Sequence, residues 1–179
     1  AYPPNGVMPS VTIVYLLAKA TINLAGSAGL SSSNTFTVEY FAWSSHTWST
    51  YAFTSTGSIT LNATAGMPIY FTSQTSSGST SSERWAVPSA IITTNAQNIT
   101  YIDTEYMQYA LILNYAVQDG GSGYSAPTLS YTSFSLAQTL ALSTTGQTVW
   151  ADVNTGWSVT NPLGGSTSSE RWYTSTASG

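Results

Sequence analysis

The eight-residue string GSTSSERW occurs twice in this chain, at Gly78–Trp85 and again at Gly165–Trp172. Eight identical residues in order are not a chance match among 179. The likeness continues upstream. Thr50-Tyr-Ala-Phe-Thr-Ser-Thr-Gly57 reads against Thr139-Leu-Ala-Leu-Ser-Thr-Thr-Gly146. Asn62-Ala-Thr-Ala-Gly66 reads against Asp152-Val-Asn-Thr-Gly156, with one residue inserted in the second copy. The chain therefore holds two repeat units, about 48–87 and 137–174, with unrepeated material around them. Two copies are too few for a solenoid, whose end units need neighbours to cover them. The expectation is one compact body in which matching strands are related by a pseudo-twofold axis.

Those strands are visible as period-two alternation. Tyr109, Leu111, Leu113, Tyr115 and Val117 alternate with Gln108, Ala110, Ile112, Asn114, Ala116 and Gln118. Phe36, Val38 and Tyr40 alternate with Thr37 and Glu39, Ile59 and Leu61 flank Thr60, and Ile69 and Phe71 follow Pro68. Tyr131, Phe134 and Leu136 read as the start of a further run. Gly- and Ser-rich breaks fall at 25–34, 72–82, 119–127 and 161–169. No segment carries sustained helical periodicity. The fold class expected is all-β, a β-sandwich of immunoglobulin-like type.

The N-terminal stretch differs. Ala1-Tyr-Pro-Pro-Asn-Gly6 is stiff and extended, since its prolines cannot donate to a ladder. From Val7 to Leu17 both alternating faces are apolar, as in a strand buried on both sides. The expected division is an N-terminal extension over 1–17 and a sandwich over 18–179.

Charge is scarce. Only 6% of residues are charged, against roughly 25% in ordinary soluble domains, while 42% are hydrophobic and 13% aromatic. Hydroxyls and amides replace charge on the solvated face, and such a surface barely titrates, which suits an acidic or variable exterior. The net charge is −4, and the three cations are Lys19, Arg84 and Arg171. No basic patch can be built from them, so nucleic acid is not an expected partner. Without cysteine there is no disulfide and no thiolate metal site. No stretch reaches the length of apolar residues that spans a bilayer. The small neutral Ala1 reads as the end left by signal cleavage, hence an extracellular location.

Asn62-Ala-Thr64 and Asn98-Ile-Thr100 are N-glycosylation sequons, so covalent N-glycans are expected on Asn62 and Asn98. Glu83-Arg84-Trp85 and Glu170-Arg171-Trp172 admit a sugar grip or a carboxylate pair for acid catalysis. Their duplication favours a structural corner, with Arg stacked on Trp and paired with a carboxylate. His46 has no second histidine or cysteine with which to build a metal site. Asp103-Thr-Glu105 lacks the glycine of an aspartic-protease triplet. The six tryptophans, at 43, 48, 85, 150, 157 and 172, are a sugar platform or, more often, core. Lys19, the one lysine, reads as a snorkelling side chain rather than an isopeptide donor. The expected sites include no catalytic residue, no metal and no cofactor beyond the glycans.

Taken together, the start AYPPNG, the apolar PSVTIVYLL strand, the near-absence of charge, the Ser/Thr-rich strands and the two sequons resemble the extracellular thread filament subunits of thermoacidophilic crenarchaea, of Sulfolobus type. The resemblance implies a pilin whose N-terminal donor strand, with Val7, Met8, Val11, Ile13, Tyr15 and Leu17, fills a groove in the next subunit. It implies a glycosylated homopolymer on the cell surface, joined head to tail by donor-strand complementation, with a role in adhesion or biofilm formation. Two other classes stand beside it: an acid-stable β-sandwich hydrolase using Glu83 or Glu170, and a monomeric carbohydrate-binding or S-layer-associated module using its tryptophans.

Overall fold

The computed structural model describes residues 13–26, 35–54, 57–71, 74–76, 78–95, 98–118 and 122–179. It is all-β, as the alternation predicts. The strands are β1 (Leu17–Gly26), β2 (Thr35–Ala42), β3 (Thr47–Thr54), β4 (Ser58–Thr64), β5 (Pro68–Phe71), β6 (Gln74–Thr75) and β7 (Glu83–Val87) in the first part of the chain. They continue as β8 (Ala90–Thr93), β9 (Ile99–Leu113), β10 (Thr128–Ser133), β11 (Leu136–Ala141), β12 (Gln147–Asp152) and β13 (Ser158–Val159).

Ten strands form one curled sheet in the order β6-β7-β9-β1-β4-β2-β5-β8, with β12 also on β9 and β3 also on β2. A second sheet has the order β11-β10-β13. β9 holds the large sheet together. Its first residues run parallel to β1, Ala20 opposite Ile99 through Gly26 opposite Glu105. Its later residues pair antiparallel with β12, Gln108 opposite Asp152, and with β7, Arg84 opposite Gln108.

Side chains follow the pleat. In β2, Phe36 and Val38 are buried while Thr35, Thr37 and Glu39 are exposed. In β1, Ala18, Ala20 and Ile22 are buried and Lys19 faces out. The core cluster is Ala20, Ile22, Phe36, Val38, Leu61, Ala63, Ile69, Phe71 and Val87, with Ile99 and Tyr101 from β9 packed against it. The Tyr101 ring lies 5.1 Å from that of Phe71. This cluster sits wholly in the first part of the chain. Beyond residue 101, the buried apolar side chains among the described residues are Pro127, Leu129, Leu142 and Ala151.

Two details differ from the sequence reading. The run from Tyr131 to Leu136 is not one strand. β10 and β11 form a hairpin closed by Phe134 and Ser135, with φ of 53° and 58°. Neither residue is a glycine or asparagine, so the usual turn signal is missing. Leu17, placed at the end of the N-terminal extension, already belongs to β1 and pairs with Thr64.

Candidate functional site

Two features stand out against this frame, an apolar arm and an open groove. The arm is Ile13–Leu16, just before β1. Ile13 is 70% exposed, Val14 72% and Leu16 55%. Its backbone is anchored rather than free: the Leu16 carbonyl accepts from Ala65 N at 2.7 Å, and the Tyr15 carbonyl accepts from Trp43 Nε1 at 3.3 Å. The Tyr15 ring stacks on His46 at 4.0 Å. His46, at a positive φ in the β2–β3 turn, is thus an exposed stacking partner. Of the donor-strand residues expected, Ile13, Tyr15 and Leu17 are exposed, while Val7, Met8 and Val11 lie outside the described residues.

The groove opens where the β9 ladder stops. Leu113, Tyr115 and Val117 line it from β9 and its continuation, opposite Leu142, Trp157 and Trp172, around a volume of about 810 Å³. A second depression of about 600 Å³ lies over Tyr70, Ala90 and Ile91. Neither is lined by Glu83 or Glu170. Among the described residues, no group of three His, Cys, Asp or Glu gathers as a metal site, and no helix is long and apolar enough to cross a membrane.

The two GSTSSERW copies make matching corners. Thr80 N donates to the Glu83 carbonyl at 2.7 Å and Thr167 N to the Glu170 carbonyl at 2.6 Å. Trp85 N donates to Ser79 Oγ, and Trp172 N to Ser166 Oγ, both at 3.1 Å. Glu83 N and Glu170 N donate to Thr80 Oγ1 and Thr167 Oγ1, again both at 3.1 Å. The threonine and serine hydroxyls here replace backbone acceptors and hold the chain in the corner.

The arginines then diverge, and they depart from the expected pairing: Arg84 bonds an amide rather than a carboxylate, and Arg171 lies over a tyrosine rather than a tryptophan. Arg84 sits on β7, half-buried. Its Nε donates to Gln108 Oε1 at 2.9 Å and its guanidinium lies 4.5 Å over the Trp150 ring. Burial lowers its pKa from the ordinary arginine value, but arginine remains a cation at any physiological pH. Arg171 is exposed, lies 5.6 Å over the Tyr173 ring and lines the groove.

Behind Arg84 lies a polar network that sequence reading did not find. Gln108 is fully buried, and its Nε2 donates to Asp152 Oδ1 at 2.8 Å and to Ser133 Oγ at 2.9 Å. Asp152 also accepts from Phe134 N at 2.9 Å and Ser135 N at 2.7 Å. Its carboxylate thereby holds the β10–β11 turn in its left-handed conformation. The one available signal was that Asp152 aligns with Asn62 across the repeat. Glu105, in the Asp-Thr-Glu string, is fully buried in β9.

Both sequon asparagines are exposed, Asn62 on β4 opposite Lys19 and Asn98 just before β9. Thr100 is exposed, whereas Thr64 is 3% exposed. The tryptophans form no common platform: Trp43 and Trp48 are exposed, the other four are half-buried, and Trp48 packs among Phe41 and Tyr70. No family model, no curated protein and no solved structure matches this chain.

Proposed function

We propose that this protein is the structural subunit of an extracellular, N-glycosylated filament, polymerising head to tail by donor-strand complementation and serving adhesion or biofilm formation. The observation that carries the reading is the pairing of an exposed apolar arm with an open groove at the far end of the same strand system. The arm precedes β1, whose partner on β9 starts at Ile99, and the groove begins at Leu113. At about 3.3 Å per residue, that separates them by roughly 45 Å along β9. An arm at one end and a receptor at the other make a heterologous contact, which propagates as an open filament rather than closing on itself.

The chemistry of the two parts is complementary. The arm exposes the apolar side chains of Ile13, Val14 and Leu16, and the groove flanks a strand edge whose ladder has ended. Strand addition satisfies the backbone groups of both, while side chains fill the groove. Burying Val14 or Leu16 would each contribute about 1.5–3 kcal/mol. The exposed Asn62 and Asn98 add solubilising glycans to a surface nearly without charge.

Deleting residues 1–16 tests the reading. The truncated chain is expected to remain monomeric or to aggregate without order in electron micrographs, and a synthetic peptide of residues 1–16 should block elongation of the full chain. Filaments of normal form from the truncated chain would overturn it.

A further inference from the structure

The chain already contains one joint of the proposed kind. Ile99–Glu105 run parallel beside β1 and bring Ile99 and Tyr101 to the core cluster. β9 then continues without a break and becomes the first strand of the second part of the chain, pairing with β12. The pairings of the two parts match at a shift of 87 to 90 residues. Lys19 lies opposite Asn62 and Gln108 opposite Asp152; Tyr40 lies opposite Ile69 and Leu129 opposite Val159. Gln74 pairs with Val87, and in the second part Asn161 binds Thr174 through its side-chain amide in both directions. The later half of β9 is therefore to the second part what β1 is to the first. Ile99–Glu105 stand before it as residues 10–16 stand before β1.

The first part, which receives a strand, has a complete core. Among the described residues the second receives none. Past Ala110, no strand among the described residues pairs with the β9 edge that carries β7. The groove occupies that place, walled by Leu113–Val117 on one side and Arg171–Tyr173 on the other.

We infer that the internal joint is the template for the outer one, an inference that rests on the filament reading above. The arm of one copy lies parallel beside β9 of a second. Ile13 is opposite Ile112, Val14 opposite Leu113 and Leu16 opposite Tyr115, the counterparts of Ile102 opposite Asn23, Asp103 opposite Leu24 and Glu105 opposite Gly26. Leu17–Ala20 of the incoming copy then pair antiparallel with Tyr173–Glu170 of the acceptor, as Tyr106–Tyr109 pair with Ala86–Glu83. The template also sets the facing. Tyr101 and Glu105 turn inward, and Ile102 is 61% exposed. By parity Val14 and Leu16 enter the groove while Ile13 and Tyr15 face out, the reverse of the face expected from sequence. One pair departs from the template. Arg171 meets Lys19 of the incoming copy where Arg84 meets Gln108, so the outer joint contains two adjacent cations and should tighten as salt screens them.

Because the native chain has no cysteine, cross-linking reads the register directly. Full-length chains carrying Val14→Cys and Leu113→Cys are mixed and oxidised, with Val14→Cys plus Leu111→Cys as the comparison. Two residues out of register puts the Cα atoms about 8 Å apart, beyond disulfide reach. The expected result is a disulfide between chains in the first mixture and little in the second. Equal or preferred linkage through position 111 overturns the register. Filaments that form in micrographs without either cross-link overturn the template and leave the filament reading standing. Native chains that stay monomeric overturn both. The facing has its own test: Val14→Asp should block assembly and Ile13→Asp should leave it intact, and the opposite pattern overturns the parity.

Discussion

Replacing Asp152 by alanine should be one of the most damaging single changes in this molecule. Asp152 is 8% exposed and its carboxylate accepts three hydrogen bonds, from Gln108 Nε2, Phe134 N and Ser135 N, at 2.7–2.9 Å. A hydrogen bond to an ionised acceptor nets about 1.5–3 kcal/mol. The three do not simply add. Gln108 Nε2 keeps Ser133 Oγ at 2.9 Å, and Ser135 is exposed, so water can take up its amide. Phe134, half-buried against the Tyr106 ring at 5.5 Å, has no such substitute. Counting the Phe134 bond in full and the other two in part gives about 3–4 kcal/mol for Asp152→Ala. Asp152→Asn keeps one acceptor oxygen and should cost about half as much. Total stabilities run to about 5–15 kcal/mol, so the alanine variant loses a large share. Urea denaturation followed by tryptophan fluorescence reads the change, with Trp150 two residues away, and melting should fall by about 6–16 °C. A loss below about 1 kcal/mol for Asp152→Ala would show that the carboxylate does not hold the turn, and that Phe134 and Ser135 adopt positive φ without help.

The two copied corners should respond unequally to the same change. Arg84→Ala removes the Gln108 bond and the cover over Trp150, costing about 1.5–3 kcal/mol, whereas Arg171→Ala, on an exposed side chain, should stay within about 0.5 kcal/mol in the monomer; equal losses in urea would contradict the asymmetry. Glycan occupancy should also differ. Asn98 and Thr100 are both exposed, so that sequon can be modified on the folded chain, but Thr64 is buried, and Asn62 must be modified before β4 pairs with β1. Peptide mass spectrometry is expected to find Asn98 modified after folding in vitro and Asn62 unmodified under the same treatment; the reverse, or an intact mass of 18.9 kDa from native material, would refute this.

What the sequence determined by itself is what depends on neighbouring residues. Alternation at Phe36, Val38 and Tyr40 or at Ile69 and Phe71 is a property of the pleat, so the all-β class and many of its strands were legible. The GSTSSERW corners were legible as corners because their hydroxyl-to-backbone bonds span six residues or fewer. The β10–β11 turn was not legible, because Phe134 and Ser135 hold positive φ through a carboxylate seventeen and eighteen residues away. The Gln108–Asp152 bond spans 44 residues, and nothing local marks either partner. Nor could alternation show that β9 serves two parts of the chain, parallel to β1 at its start and antiparallel to β12 at its end. Strand pairing is set by which apolar faces find one another in three dimensions, and period-two sequence carries the face but not the neighbour. The open edge beyond Ala110 exists because β7 ends its pairing there, and only the tertiary structure could decide where a strand was left without one.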